Sequence, residues 1–319
     1  MLSRVAENIY WMARYIERAE NTARVIMVNT NLLLDLPKHV QLGWQPIIEI
    51  MGTEQTYLEQ HGDYDERQVL KYLISDPDSP SSILNSLHHA RENARTVRDI
   101  IPRETWERIN DLYLYARSSA LSGYSKKGRF DYMQKIILGA QTITGLLAGT
   151  MLHDMGYDFL KMGRNLERAD MTTRIIDVRS ADLLPEHEAL TPFENIQWMS
   201  VLKSLTGYQM YRRTVQERVS RPDVLKFLLK EKQFPRSFFH ALLEVKACLQ
   251  NLPRNEKPVT LLNEIGKKVL RADQAILKQD ELHSFIDELQ LGLAELNGLI
   301  TKTYFQQMKA NTARLKATS

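Results

Sequence analysis

Two stretches of this chain carry the same charged pattern, and this repetition constrains the fold more than any other feature. Residues 13–24 read ARYIERAENTAR, and residues 163–174 read GRNLERADMTTR, an offset of 150 positions. Six residues of the first stretch recur unchanged in the second, and Glu20 is replaced by the equally acidic Asp170. A match of this length indicates that one structural unit occurs twice.

Two further pairs of segments match in the same order. Residues 69–84 read VLKYLISDPDSPSSIL, and residues 224–239 read VLKFLLKEKQFPRSFF. Between the matched blocks, Trp44 and Trp198 each precede a group of apolar residues at helical spacing. Three matching pairs in one order predict that the chain arose by tandem duplication.

Periodicity and composition predict an all-α fold without a sheet. Apolar residues recur at steps of three and four along the first helix, whereas strand-like alternation is missing. The chain has 14 glycines and 11 prolines, too few for the many tight turns of an all-β fold. We therefore predict two helical bundle units, residues 1–150 and residues 151–319, packed as one compact unit about a pseudo-twofold axis.

Charge and cysteine content exclude several classes of protein. The chain has 42 basic and 39 acidic side chains, so it lacks the strongly basic character of a dedicated nucleic-acid binder. Its single cysteine, Cys248, excludes an intrachain disulfide and a zinc site built on several cysteines, and we expect it to be a buried core thiol. The first residues form a charged amphipathic helix rather than a secretory signal, which favours a cytoplasmic location.

The longest uncharged run, residues 136–153, is almost long enough to cross a bilayer. It contains polar residues and three glycines, so we predict no membrane span. We expect instead a helix that is buried on most sides and packed closely through Gly139, Gly145 and Gly149.

The repeated motif places most of its charges on one face of a helix. Successive residues advance by about 100°, so the charged residues of each copy share one arc or its edge. These candidate residues are Arg14, Glu17, Arg18, Glu20, Asn21 and Arg24 in the first copy, and Arg164, Glu167, Arg168, Asp170 and Arg174 in the second. The simplest interpretation is a solvated face with weak ion pairs at four-residue spacing, Glu20–Arg24 and Asp170–Arg174.

Retention of the Arg-x-x-Glu-Arg pattern in both copies indicates a shared role. If the two helices face each other, their arginines and carboxylates meet in one place, and guanidinium groups bind carboxylates or phosphates in bidentate geometry. Two interpretations stay open: a buried structural network, or a pocket for an anionic or zwitterionic ligand.

Two other sites carry candidate anion-binding residues. Arg91, Asn93 and Arg95 follow a helix start at which Ser79 or Ser81 is the expected N-cap. Arg236 lies beside Ser237 at another helix start, where exposed backbone N–H groups bind anions. The sequence position of Arg236 by itself favours the alternative to an anion site, which is a capped helix start with Arg236 as an ordinary surface residue.

Four motifs in order resemble those of the bacterial alpha-E family, a domain of unknown function with a repeated Glu-Arg motif. They are SRVAENIYWMARYIERAENTAR, the second copy with ERAD, ARENARTVR and FPRS, and the likeness extends from Leu2 to about Lys302. The resemblance implies an all-helical fold and a charge motif of unproven role. It also implies partners, an ATP-grasp protein and a transglutaminase-like peptidase, and hence a system that forms or cleaves peptide or isopeptide bonds. The Arg91 block departs from the repeat, because it is clear only in the first half.

Three functional hypotheses follow. The first is a binding or accessory subunit whose Arg/Glu cleft recognises carboxylate or phosphate groups, with a peptide or amino acid as a possible ligand. The second is an enzyme of amide-bond chemistry with Glu17 or Glu167 as acid or base. The third is a structural interaction protein with a buried ion-pair network. We expect no cofactor and no metal, because the helical Glu-x-x-His pairs of a di-metal site are missing.

Overall fold

The computed structural model describes residues 1–35, 43–181, 191–273 and 276–306. All regular elements in these ranges are helices, as the periodicity predicts. The α-helices are α1 (Ser3–Asp35), α2 (Gln45–Met51), α3 (Glu54–Gln60), α4 (Glu66–Ser75), α5 (Ile83–Thr96), α6 (Arg103–Ser118), α7 (Ala120–Tyr124), α8 (Arg129–Thr150), α9 (Met155–Ala181), α10 (Thr191–Ser204), α11 (Tyr208–Val215), α12 (Arg221–Lys230), α13 (Phe238–Gln250), α14 (Glu256–Arg271) and α15 (Gln279–Ile300). A π-helical turn, Thr301–Phe305, extends α15.

The two motif helices, α1 and α9, lie at the centre of the molecule and pack against each other. Helix α1 also contacts α5 and α8, and α9 contacts α13 and α15. In α1 the residues Ile9, Met12, Ile16 and Ile26 are buried at helical spacing, so an apolar stripe anchors the helix in the core. Both helices are enclosed on several sides, and polar residues of the motif are therefore buried as well.

A glycine permits close approach of the two central helices. A Cβ atom on Gly163 of α9 would lie 2.2 Å from the carbonyl oxygen of Tyr10 in α1. No side chain fits at that distance, so the helices touch through backbone at this point. The charged residues that follow on each helix are thereby brought within reach of the opposite helix.

Short helices cross between the two parts of the chain. Helix α2 packs against α9, and α10 packs against α1. Gly52, which ends α2 with a left-handed φ of 66°, lies beneath the Arg174 guanidinium of α9; a Cβ there would be 2.2 Å from Nη1. A helix from before residue 150 thus packs on α9, and a helix from after residue 150 packs on α1.

Two serines begin matched helices in the same way. The hydroxyl of Ser82 accepts a hydrogen bond from the Asn85 backbone N–H at 3.2 Å and so caps α5. The hydroxyl of Ser237 accepts one from the His240 backbone N–H at 3.1 Å and caps α13. Each serine satisfies a backbone donor that has no partner within the helix.

The predicted cap at Ser79 or Ser81 was wrong. Ser79 belongs to the preceding turn, where its carbonyl oxygen accepts from the Ser82 backbone N–H. The Ser81 carbonyl oxygen accepts a hydrogen bond from Thr22 Oγ1 of α1 at 3.1 Å. The tertiary contact to α1 thus fixes the residue before the cap, and the helix begins one position later.

Helix α8 was expected to be buried on most sides, and this expectation was also wrong. Gly139 packs against Leu112, but nothing lies within 4 Å of a Cβ placed on Gly145 or Gly149. Leu138 is half exposed, because α8 contacts α1 and α6 along one side only. No helix in the described part of the chain is long and apolar enough to cross a membrane.

Candidate functional site

The repeated motifs of α1 and α9 face each other and exchange ion pairs. Arg14 Nε lies 2.8 Å from Glu167 Oε2, and Arg18 Nε lies 2.6 Å from Glu167 Oε1. Glu167 is buried, so both of its oxygens are satisfied by arginines of the opposite helix.

Glu17, the matched carboxylate of α1, has a different set of partners. Arg168 Nε lies 3.0 Å from Glu17 Oε2, and Arg236 Nη1 lies 2.7 Å from Glu17 Oε1. Arg236 was favoured as a surface residue on its position alone, and that interpretation was wrong because it is buried. Its carbonyl oxygen accepts from Thr172 Oγ1 at 2.9 Å, which fixes this helix start against α9.

Glu20 and Asn21 complete the buried part of the network. Glu20 Oε1 lies 2.8 Å from Arg236 Nη2 and 2.5 Å from Arg24 Nη2. Asn21 Oδ1 accepts from Arg236 Nη1 at 2.8 Å. The Glu20–Arg24 pair has the predicted spacing, but it is buried rather than solvated.

Asp170 and Arg174 form the second predicted pair, at 2.9 Å between Oδ2 and Nε. Their side chains are partly exposed, so this pair is the weaker, solvent-accessible one.

Six arginines meet three buried carboxylates in this region. We refer to the set as the arginine cluster: Arg14, Arg18, Arg24, Arg164, Arg168 and Arg236, with Glu17, Glu20 and Glu167. The positive charges therefore exceed the negative ones by three. Arg164 forms no hydrogen bond or close ion pair with a described residue, and its Nε is buried, but its charge still acts on Glu17 and helps to lower the pKa of that carboxyl group. Arg236, rather than Arg164, is the arginine that lies against Glu17 Oε1.

The neighbouring arginines determine the charge states of Glu17 and Glu167. Burial acts to raise the pKa of Glu167, but the charges of Arg18 and Arg14 outweigh it and lower that pKa to about 2. The pKa of Glu17 is also lowered, by Arg168 and Arg236 against the effect of burial. Both carboxylates are ionised at neutral pH.

The pKa of Arg168 is lowered in part by the excess of positive charge around it. Burial lowers its pKa, and the neighbouring charges of Arg236 and Arg164 lower it further, although Glu17 opposes them. An additional anion beside Arg168 and Arg164 would relieve this repulsion. Arg168, Arg14 and Arg18 keep 11–20% of their side-chain surface exposed, so one rim of the cluster reaches solvent.

Two residues of the site carry no signal in the sequence. Asn297 of α15 accepts hydrogen bonds from Tyr10 Oη at 2.6 Å and Arg14 Nη1 at 2.9 Å. Gln141 of α8 donates to Glu20 Oε1 at 3.4 Å. Neither belongs to a repeated motif, and only the neighbouring helices bring them to the cluster.

The Arg91 block lies outside the cluster. Arg91 Nε donates to Asn110 Oδ1 of α6 at 2.8 Å, and its Nη1 donates to Glu92 at 2.8 Å. Arg95 also pairs with Glu92, and the Asn93 carbonyl oxygen accepts from Thr96 Oγ1. The structure therefore does not bring these residues together with the repeated motif.

Two other groups bear on chemistry. Cys248 is buried, and burial raises the pKa of its thiol to about 12, so the predicted core thiol is confirmed.

Asp177, His283 and Asp287 place three ligand-type atoms within 4.8 Å of one another between α9 and α15. His283 Nδ1 already pairs with Asp177 at 2.7 Å, and this contact raises the pKa of the imidazole.

Comparison with known proteins gives a family and no activity. Residues 1–305 match the Alpha-E family model, described as a predicted alpha-helical domain with a conserved ER motif. The chain is similar to an uncharacterized protein of Mycobacterium bovis and to uncharacterized proteins of two strains of Mycobacterium tuberculosis. Each is 24% identical over 315 residues, which cover 91% of this chain but 35% of the relative. No solved structure matches the chain.

Proposed function

The chain belongs to the Alpha-E family, and from the geometry of its arginine cluster we propose that it is a helical binding subunit that recognises a carboxylate or phosphate group. The observation that carries the proposal is the surplus of three positive charges, with Arg164 held by no hydrogen bond or close ion pair to a described residue. Arg164 is partly exposed while its Nε is buried, so an anion that enters from solvent would reach the guanidinium and supply the missing hydrogen bond.

The surplus favours a ligand over a purely structural role. A network that only joins two helices is most stable when its charges balance, because each unpaired buried charge loses its hydration without compensation. Here Glu17 and Glu167 each form ion pairs with two arginines, whereas Arg164 acts on Glu17 without a hydrogen bond or a close ion pair. The network joins α1 to α9 and, on this proposal, also holds the arginines in place for a ligand.

The charge states disfavour the alternative of an acid–base enzyme. A carboxylate with a pKa near 2 is a weak base and carries no proton to donate near neutral pH. The oxygens of Glu167 and Glu17 are also occupied by guanidinium groups. Glu17 and Glu167 therefore act, on this proposal, as anchors that position arginines.

A binding experiment tests the proposal directly. We expect inorganic phosphate, glutamate or a short peptide with a free carboxylate to bind the full chain in calorimetric titrations and to raise its melting temperature. Arg164→Met should abolish binding while leaving the melting temperature of the unliganded protein nearly unchanged, since Arg164 has no hydrogen bond or close ion pair to a described residue that would be lost. The matched control is Arg103→Met, an exposed arginine of α6. Equal affinity of Arg164→Met and the unchanged chain for all three probes would refute the proposal.

We propose further that the protein serves a system that forms or modifies peptide or isopeptide bonds, with an ATP-grasp protein and a transglutaminase-like peptidase as partners. The support is the family resemblance together with the length of the relatives, of which this chain spans little more than one third. Co-purification of the tagged chain with the ATP-grasp protein tests this step. A partner that does not co-elute at any salt concentration would argue against it.

We also propose that the chain is a tandem duplication with a boundary near residue 150 and a pseudo-twofold arrangement. Matched hydrogen bonds support it: Thr22 Oγ1 donates to the Ser81 carbonyl oxygen, and Thr172 Oγ1 donates to the Arg236 carbonyl oxygen. The caps at Ser82 and Ser237 form a second matched pair. The reciprocal ion pairs of the two motif helices form a third.

A further inference from the structure

Arginines and aromatic rings alternate along one face of α5 and α6. The guanidinium carbon of Arg98 lies 5.5 Å from the Trp106 ring centroid, and that of Arg91 lies 5.9 Å from it. Arg91 is also 5.3 Å from the Tyr113 ring centroid, and Arg117 is 5.9 Å from it. The order is thus Arg98, Trp106, Arg91, Tyr113, Arg117, which we call the arginine–aromatic ladder. None of its members belongs to the arginine cluster.

The two ends of the ladder carry free positive charge. Arg98 and Arg117 are exposed, and neither has a carboxylate partner in the described part of the chain. A ring beneath a guanidinium restrains the long side chain and leaves its in-plane N–H groups available for a carboxylate. The cost of ordering these arginines on binding is thereby reduced.

We propose that the arginine–aromatic ladder docks an acidic polypeptide segment that carries several carboxylates. Trp106 and Tyr113 are seven residues apart on α6, about 10 Å along the helix axis. One small anion therefore cannot engage both end arginines, whereas a chain with repeated Asp or Glu side chains can. Trp, Tyr and Arg are also the residue types enriched at the energetic centres of protein interfaces.

The same features argue against single-stranded nucleic acid on this face. Nucleic-acid binding of that kind needs aromatic faces open for bases to stack on. Here Trp106 and Tyr113 each carry two guanidinium groups over their rings.

Helix α13, which begins in the segment that matches the start of α5, forms no such ladder with α14. The groove between α13 and α14, of about 150 Å³, is lined mainly by apolar residues such as Leu242 and Leu262, together with Lys246 and Lys267. Within the described residues the ladder is therefore a feature of α5 and α6, as is the charged block around Arg91.

Fluorescence anisotropy with labelled poly-L-glutamate at low salt tests the proposal on the full chain. The double variant Arg98→Ala/Arg117→Ala should bind the probe at least about tenfold more weakly, because two charge-assisted contacts are lost. Arg98→Lys/Arg117→Lys should also weaken binding, since an ammonium lacks the planar fork. Arg98 and Arg117 are exposed in the unchanged chain, and thermal melts verify that both double variants stay folded.

The matched control removes the same number of positive charges, at two arginines of α6 outside the ladder. Arg103 and Arg108 are exposed on α6 and pair with Glu107 and Asp111. Arg103→Ala/Arg108→Ala should change the affinity by less than about twofold. In an Arg164→Met background, Arg98→Ala/Arg117→Ala should lower the affinity for poly-L-glutamate by the same factor as in the unchanged chain, which separates this surface from the proposed anion site. The proposal is wrong if the unchanged chain does not bind the probe, if the control loses as much affinity, or if labelled oligothymidylate binds more tightly.

Discussion

Glu17 and Glu167 occupy matched positions in α1 and α9, yet different arginines neutralise them. Glu167 receives Arg14 and Arg18 from the opposite helix, whereas Glu17 receives Arg168 and Arg236. In the matching segments 69–84 and 224–239, Arg236 stands at the position of Ser81, whose short side chain carries no charge. Arg236 lies against Glu17, and Arg164 forms no hydrogen bond or close ion pair with a described residue.

The low pKa of Glu167 makes stability depend on acid pH in a defined direction. Its pKa falls from an ordinary 4.5 to about 2 on folding. The stabilisation it contributes is therefore fully present above about pH 4.5 and is lost as the pH falls towards 2. The contribution at neutral pH is roughly 3 kcal/mol, given the free energy of one pKa unit.

Urea unfolding between pH 6 and pH 3 measures this effect. Glu167→Gln should be less stable than the unchanged chain at pH 6, and the difference should shrink steadily as the pH is lowered. Glu107→Gln, in an exposed pair with Arg103, should differ from the unchanged chain by no more than about 1 kcal/mol at pH 6. A constant gap for Glu167→Gln would mean that its carboxylate does not hold Arg14 and Arg18 in an ionised network.

At the scale of the element, the approach of α1 to α9 decides whether the cluster exists. The two helices touch at Gly163 and Tyr10, and the ion pairs form one turn further along. Arginine side chains are long, but both oxygens of Glu167 are satisfied only if the helix axes stay at this separation. The glycine thus controls the geometry of residues that it does not contact.

Gly163→Ala should therefore destabilise the protein, because the added methyl group meets backbone that cannot move aside. We expect a loss of about 1–3 kcal/mol in the free energy of unfolding, despite the better helix propensity of alanine. Gly145→Ala is the matched control, since nothing lies within 4 Å of its Cβ. That variant should gain up to about 1 kcal/mol. Equal effects at both positions would show that α1 and α9 do not approach this closely.

At the scale of the whole molecule, the crossing helices make the two parts of the chain interdependent. Helix α2 covers α9, and α10 covers α1. The charged groups of Glu17 and Glu167 are each neutralised from across the α1–α9 interface. Separation of the two parts would expose apolar faces and leave carboxylates and arginines without partners.

We expect residues 1–152 and residues 153–319, produced as separate chains, not to fold alone. Mixing them should restore helical circular dichroism and a one-to-one complex in size-exclusion chromatography. The cut lies between the end of α8 at Thr150 and the start of α9 at Met155, so it breaks no helix. Cooperative unfolding of either fragment on its own would contradict this expectation.

The sequence by itself determined the local features of this protein. A 3.6-residue apolar period is a property of neighbouring residues, so the helical class was predictable throughout the described chain. The repeated motif likewise identified Arg14, Arg18 and Glu167 as candidate site residues on matched helix faces, but it left open whether the two helices face each other.

The tertiary structure decided which groups complete each contact. A helical period states which face of a helix is buried, but not which distant helix covers it. For that reason the burial of Arg236, the exposed side of α8 and the participation of Asn297 could not be read from the chain. Each depends on the placement of a helix far away in sequence, and that placement results from the sum of many core contacts rather than from any local pattern.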